Sequence, residues 1–140
     1  MSIRVSKSGE QRANGSLQNG SARFQAALPR AMHMAGTLLV QKTKTEIMNG
    51  SKSGRMYGSH QASAPGEYSA YLSGEHLHSI DYAVQGPRQF EFGAGAAYSA
   101  FLELGTSKME AREDLGQSVR SEQAAVTRVL GQIPYVALSK

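Results

Sequence analysis

Four histidines, eleven carboxylates and no cysteine set the chemistry open to this 140-residue chain. The densest titratable run is Glu75-His76-Leu77-His78. Two imidazoles two positions apart point to opposite sides of a helix and share a side only in a strand. Without cysteine, and with only His33 and His60 elsewhere, no zinc site is expected, and solvent-facing histidines are the simpler reading. Gly93-Ala94-Gly95 lacks the third glycine and the βαβ setting of a dinucleotide loop. Ser51-Lys52-Ser53-Gly54 has no lysine where a phosphate loop needs one. No serine has a histidine and an acid at spacings that nominate a hydrolytic triad. The expectation is no catalytic residue, no metal, no cofactor and no enzyme.

The basic segment is the other chemical candidate. Lys42, Lys44, Lys52, Arg55 and His60 flank Tyr57, which together supply phosphate contacts and one stacking ring. No helix-turn-helix, zinc finger or RNA-recognition signature accompanies them, so contact with DNA would be nonspecific at most. Residues 1–60 carry a formal charge of +7 and residues 61–140 one of −3. That asymmetry fits a polyanion contact, head-to-tail packing of unlike surfaces, or a solvated basic helix face.

The core available to position such groups is thin. Leu, Ile, Val and Phe number 26, while 18 of the apolar residues are alanine. A chain with so few large apolar groups sits near the limit for building a core alone, so neighbouring subunits are expected to complete it. No apolar run is long enough to cross a bilayer, and the first twenty residues lack the apolar stretch of a secretory signal. Membrane and secreted classes are not expected.

Periodicity supplies the elements. Residues 1–20 are rich in Gly, Ser and Asn and read as a disordered arm. From Ser21 to Asn49, Phe24, Leu28, Ala31, Ala35 and Leu38 share one helical face, with Asn49-Gly50 as the stop. Pro29 either opens that helix or kinks it. Residues 51–69 read as a long loop with a turn at Pro65-Gly66. Ser73 reads as the N-cap of a short helix ending near Ser79. Ile80–Gln85 and Gln89–Phe92 around Gly86-Pro87 read as a hairpin, with Ile80, Tyr82, Val84, Phe90 and Phe92 on its apolar face.

Ala97–Leu104 then forms a short helix with Ala97, Phe101 and Leu104 inward and Gly105 leaving in the left-handed region. Asp114 caps a last helix whose seam is Leu115, Val119, Glu122, Val126 and Val129, stopping at Gly131, with regular structure ended by Pro134. On that seam, replacing Val119 and Val126 by aspartate is expected to unfold the subunit, because each change buries a charge. The expected fold is α+β: a long N-terminal helix and a C-terminal helix packed on a small antiparallel sheet. Its parts are an arm at 1–20, one domain at 21–131 and a tail at 132–140.

Two stretches in order then carry a resemblance. One is Ser53-Gly54-Arg55-Met56-Tyr57, Ala62-Ser63-Ala64-Pro65-Gly66-Glu67 and Leu72-Ser73-Gly74-Glu75-His76-Leu77-His78-Ser79-Ile80. The other is Ala97-Tyr98-Ser99-Ala100-Phe101-Leu102-Glu103-Leu104-Gly105-Thr106-Ser107-Lys108-Met109-Glu110-Ala111-Arg112. Over residues 20–131 the chain resembles the small tail-component family encoded between the head and tail genes of long-tailed double-stranded-DNA bacteriophages. One departure is Arg112-Glu113-Asp114, where that family has Arg-Pro-Phe.

The resemblance implies a structural virion protein of the neck, made in the host cytoplasm, that completes the tail or joins it to the DNA-filled head. It implies a homo-oligomeric ring, hexameric or dodecameric, around the DNA channel. Its neighbours would be head-tail connector, tail terminator or tail-tube proteins. A terminator ring capping the tail tube is the alternative within that class, and a basic DNA-binding accessory protein the alternative outside it. Lys52, Arg55, Tyr57, Pro65, Gly66, Glu103, Lys108 and Arg112 are the expected subunit or partner contacts. Gly74, Tyr98, Phe101, Gly105 and Thr106 are the expected structural motif, with the reading open that all of these only build the fold. Glutamate at Lys52 and Arg55 is expected to block assembly if the basic loop meets an acidic partner surface.

Overall fold

The computed structural model describes residues 7–86 and 89–138. Helix α1 (Lys7–Asn49) leads to a hairpin of β1 (Met56–Tyr57) and β2 (His60–Gln61), then to helix α2 (Glu75–Ser79). A second hairpin follows, β3 (Ile80–Gly86) and β4 (Gln89–Ala94), then helices α3 (Ser99–Leu104) and α4 (Asp114–Leu138). Each hairpin is its own two-stranded antiparallel sheet, and the fold is α+β.

The two long helices run antiparallel. Val129 and Leu130 of α4 pack against Leu28, Ala31 and Met32 of α1, while Leu115 packs beside Ile47 at the other end. The β3–β4 sheet lies against the same helix. Val84 and Phe90 join the first cluster, and Phe92 and Ala94 join Ile47, Leu77 and Ile80 in the second. Tyr82 pairs with Phe92 and Val84 with Phe90, so the alternate residues expected on one face do share it. Helix α1 is the spine on which α4 and the β3–β4 sheet both pack.

That spine is longer than its apolar pattern. Its 43 residues span about 65 Å, and the segment read as a disordered arm is helical from Lys7 onward. The packed half supplies the nucleus, and each added residue then gains a hydrogen bond without a second nucleation cost. Pro29 lies inside α1 rather than at its start. Helix α4 likewise runs on through Gly131 and Pro134 to Leu138, past the expected stops and into the expected tail. An interior proline loses one hydrogen bond and crowds the carbonyl four residues back, at about 3 kcal/mol, so packing elsewhere along the helix must offset it. The first six residues of the arm, Pro87 of the expected turn and the last two residues of the tail lie outside the described residues, as does the side chain of Phe24.

Three faces differ from their expected rotation. Among the described side chains of α1 the buried row is Leu28, Ala31, Met32, Ala35, Leu39, Thr43 and Ile47, with Leu39 in place of Leu38. On α4 the fully buried positions among the residues whose side chains are described are Asp114 and Ser118, and Val119 is 47% exposed. Asp114 and Ser118 are four apart, so their anchoring turns Val119 onto the shoulder of the helix. Helix α3 starts at Ser99 rather than Ala97; its inward residue is Ser99, while Phe101 and Leu104 face out, 59% and 80% exposed, and Ala97 before it is exposed too. Polar bonds at Ser99 and Glu103, also four apart, fix that helix with its apolar side toward solvent.

Candidate functional site

The two stretches that carry the resemblance meet in space. Arg112 leaves α3's loop and donates from Nε to Ser63 Oγ at 3.1 Å and from Nη2 to Ser63 O at 2.9 Å. Its Nη1 donates to Glu110 O at 2.7 Å, and its backbone N–H to Leu102 O at 2.7 Å. The backbone N–H of His76 donates to Tyr98 Oη at 3.0 Å. Arg112 therefore binds the loop before α2 to the loop before α4.

Beneath this lies a buried polar cluster that no local spacing announces. Asp114 accepts from the Ser69 backbone N–H at Oδ1, 2.7 Å, and at Oδ2 from Ser69 Oγ, 2.6 Å, and His76 Nε2, 2.9 Å. His76 Nδ1 stands 2.9 Å from Ser99 Oγ. A carboxylate has no proton to give, so Nε2 carries the hydrogen, and in the neutral ring Nδ1 accepts from the Ser99 hydroxyl. His76 is thus buried and bonded at both nitrogens, which corrects its expected exposure; His78 does face solvent.

Ser99, His76 and Asp114 form the serine–histidine–acid order of a hydrolase. Their setting is different. Ser99 is 6% exposed and is not part of the wall of the adjacent cleft. The further positions of the Asp114 carboxylate are filled by Ser69. The cluster is arranged as a clasp that ties the 69–76 segment, α3 and the start of α4 together, with its hydroxyl turned inward.

The cleft itself holds about 330 Å³ and is lined mainly by apolar groups, including Ile47, Tyr71, Leu72, Leu77, Tyr98 and Leu102. Its rim is exposed, with Leu72 at 75%. A second apolar groove of about 310 Å³ lies between β4 and α4, lined by Leu39, Phe90, Phe92, Val119 and Val126 with Gln123 and Thr127. Among the described residues, no group of three or more His, Cys, Asp or Glu is placed to hold a metal, and no helix is long and apolar enough to cross a membrane.

The expected contact residues divide into two kinds. Arg55, Tyr57, Pro65, Gly66 and Lys108 are exposed, and the Arg55 guanidinium sits 5.5 Å over the Tyr57 ring. The polar groups of the others are spent inside the chain. Glu103 accepts from the N–H groups of Leu115 at 3.0 Å and Gly116 at 2.8 Å, capping α4 in place of Asp114, whose carboxylate is committed to the clasp. Lys52 Nζ donates to Glu46 O at 3.0 Å, and its burial lowers its pKa. Arg112 is the brace already described.

Within the structural motif, Gly74 is buried, takes φ 80° and caps α2, displacing Ser73, whose Oγ is a distant 3.4 Å from Glu75 N. Gly105 closes α3 at φ 74° with extended ψ rather than in the left-handed helical well. A Cβ there would stand 2.8 Å from Met109 O, so both the dihedral and the space call for glycine. Thr106 pairs with Met109 across a tight turn, with its hydroxyl accepting from Lys108 N at 3.2 Å. Tyr98 holds α2 by its hydroxyl, whereas Phe101, expected inward, is exposed.

The loop read across 51–69 contains the β1–β2 hairpin, and Glu67 ties its ends. The Glu67 carboxylate accepts from Ser53 Oγ at 2.6 Å, Ser53 N at 2.9 Å and Ala64 N at 2.8 Å. Those bonds, led by the Ser53 hydroxyl, hold its pKa below the ordinary carboxylate value. Comparison of the chain with family models, with curated proteins and with solved structures finds no match.

Proposed function

We propose that this chain is a structural virion protein of the phage neck, completing the tail or joining it to the DNA-filled head as one subunit of a ring around the DNA channel. One observation carries the reading: the two resembling stretches fold onto each other and bond directly, Arg112 to Ser63 and His76 to Tyr98. Motifs that meet in this way act as one scaffold rather than as separate short similarities. The buried clasp supports a structural role, because its polar groups are bonded to one another and its serine is turned from the cleft. Exposed Leu72, Phe101 and Leu104 support assembly, since large apolar groups left in water mark contact surfaces.

Deleting the coding segment from the phage that carries it, followed by negative-stain microscopy of the lysate, tests the proposal. DNA-filled heads beside separate, full-length tails are the expected result. Tails of abnormal length, or none, would move the protein to tail termination, and normal infectious particles would overturn the virion role.

A further inference from the structure

Both hairpins leave an edge without a strand partner among the described residues. Their hydrogen-bond phases identify which residues present backbone groups there. In the second hairpin the Gly95 N–H donates to Ser79 O, in register with the Ile80–Ala94 pair. Bonded pairs therefore fall at Asp81–Gly93 and Ala83–Glu91, and the outward N–H and C=O groups of β4 belong to Phe90, Phe92 and Ala94. In the first hairpin Ala62 N–H donates to Arg55 O, which makes Met56–Gln61 the non-bonded pair. The outward groups of β1 are those of Met56.

Side-chain phase agrees with backbone phase. Residues paired directly across a sheet project on the same side, so Met56 opposite Phe90 would turn its side chain toward the groove lined by Phe90, Phe92, Val119 and Val126. Met56 is 53% exposed in the subunit. Arg55 and Tyr57 then fall on the polar side of β4, where Glu91 is exposed and bonded by Gln85 Nε2 at one oxygen. Asp81 lies on the same face. No acid occurs between Gly50 and Gly66, so a basic hairpin meets an acidic sheet face.

We infer that the free edge of β1 in one copy pairs antiparallel with the free edge of β4 in the next, seating Met56 in the β4–α4 groove and setting Arg55 across from Glu91. The partner is a second copy because each chain carries both halves of the contact. Its own hairpin is tied to the end of α1 through Lys52 and Glu46. The groove lies at Leu39, ten residues back along the helix, about 15 Å away. Such a contact joins unlike patches, and its repetition closes into a ring or runs on as a filament. It rests on the assembly proposed above and names the surfaces that perform it, by strand addition to a sheet edge.

Light scattering and sedimentation of the purified full chain test the pairing. Arg55→Glu and Glu91→Arg are each expected to weaken self-association about tenfold, and the double variant to restore it. In this cysteine-free chain, Tyr57→Cys with Gln89→Cys is expected to give a ladder of disulfide-linked copies on oxidation. Wild-type assembly unaffected by either charge reversal, with no ladder, would overturn the strand pairing and leave the ring in place. A monomer at every concentration would overturn the pairing and self-assembly together. Unchanged assembly with loss of salt-sensitive duplex-DNA binding in Arg55→Glu would also overturn the pairing, and would assign the hairpin to DNA.

Discussion

The ring of Tyr82 lies directly against the backbone of Gly36, in space that any Cβ at Gly36 would occupy. The Tyr82 hydroxyl is 3.1 Å from both His33 Nδ1 and Thr37 Oγ1, one turn of α1 below and just beyond that glycine. The ring thus bridges β3 to α1 through its face and its tip. Alanine is the better helix former by about 1 kcal/mol, yet Gly36→Ala is expected to destabilise the subunit by about 1–3 kcal/mol net, because Tyr82 must leave its seat. A urea midpoint at or above that of the wild type would show that the ring shifts without cost.

The clasp makes a second prediction, in the relative size of two losses. Asp114→Ala removes the acceptor of three buried bonds and leaves the Ser69 N–H, the Ser69 hydroxyl and His76 Nε2–H without that acceptor; a loss of about 3 kcal/mol is expected. Ser99→Ala removes one bond at the edge of the cluster and should cost about 1 kcal/mol. Thermal denaturation of both variants measures this directly. A Ser99 variant as damaged as the Asp114 variant would contradict a clasp centred on the carboxylate.

The hairpin faces, the stops of α1 and α3 and the α+β class were legible in the sequence because each depends on neighbours a few residues apart. The clasp was not. Ser99 and Asp114 lie 23 and 38 residues beyond His76, and a lone aspartate before an apolar run reads as a helix cap. Glu103 took the capping role from another helix, which local pattern has no means to announce. Phe101 and Leu104 show the same limit from the other side. Their spacing marks an apolar face, but whether that face meets the core or a partner depends on which polar residues anchor the opposite side.

Acid should open the β1–β2 loop before it unfolds the body. The Glu67 pKa is depressed, first by the Ser53 hydroxyl and then by the backbone N–H groups of Ala64 and Ser53. A depressed carboxylate contributes stability that is present above its unfolded value and is lost as pH falls through the folded one. The protection of the Ser53 and Ala64 amides relative to an unstructured chain is therefore expected to fall at pH below the ordinary carboxylate range, while amides of α1 stay protected. Glu67→Gln should show the lower protection already at neutral pH. Equal protection in Glu67→Gln and wild type at pH 7 would remove the carboxylate from this role.

Glu103 offers a test of capping supplied from outside the helix. Its two oxygens satisfy the first free N–H groups of α4 and place a negative charge at the positive end of that helix. Glu103→Ala should cost about 1 kcal/mol. Glu103→Gln, which keeps one acceptor, should cost less. The order of their urea midpoints checks both statements.

The seam of α4 separates folding from assembly in a way that its apolar pattern reverses. Read from spacing, Val119 is core and its replacement by aspartate unfolds the chain. In the structure Val119 is 47% exposed, while Ser118 is fully buried, with its hydroxyl 2.6 Å from Thr43 Oγ1 and 2.8 Å from Asp114 O. Val119→Asp places its charge in solvent on the groove's edge, so stability should change by no more than about 0.5 kcal/mol. Association through the groove should weaken, since a charge would then border the apolar seat of Met56. Ser118→Val, the chemically milder change, adds volume where no space exists and removes the hydroxyl that bonds Thr43 Oγ1 and Asp114 O, at a cost of about 1–3 kcal/mol. Melting curves and sedimentation on the same two variants should therefore rank them oppositely. A Val119→Asp chain that fails to fold would put Val119 back on the core face and Ser118 on the shoulder.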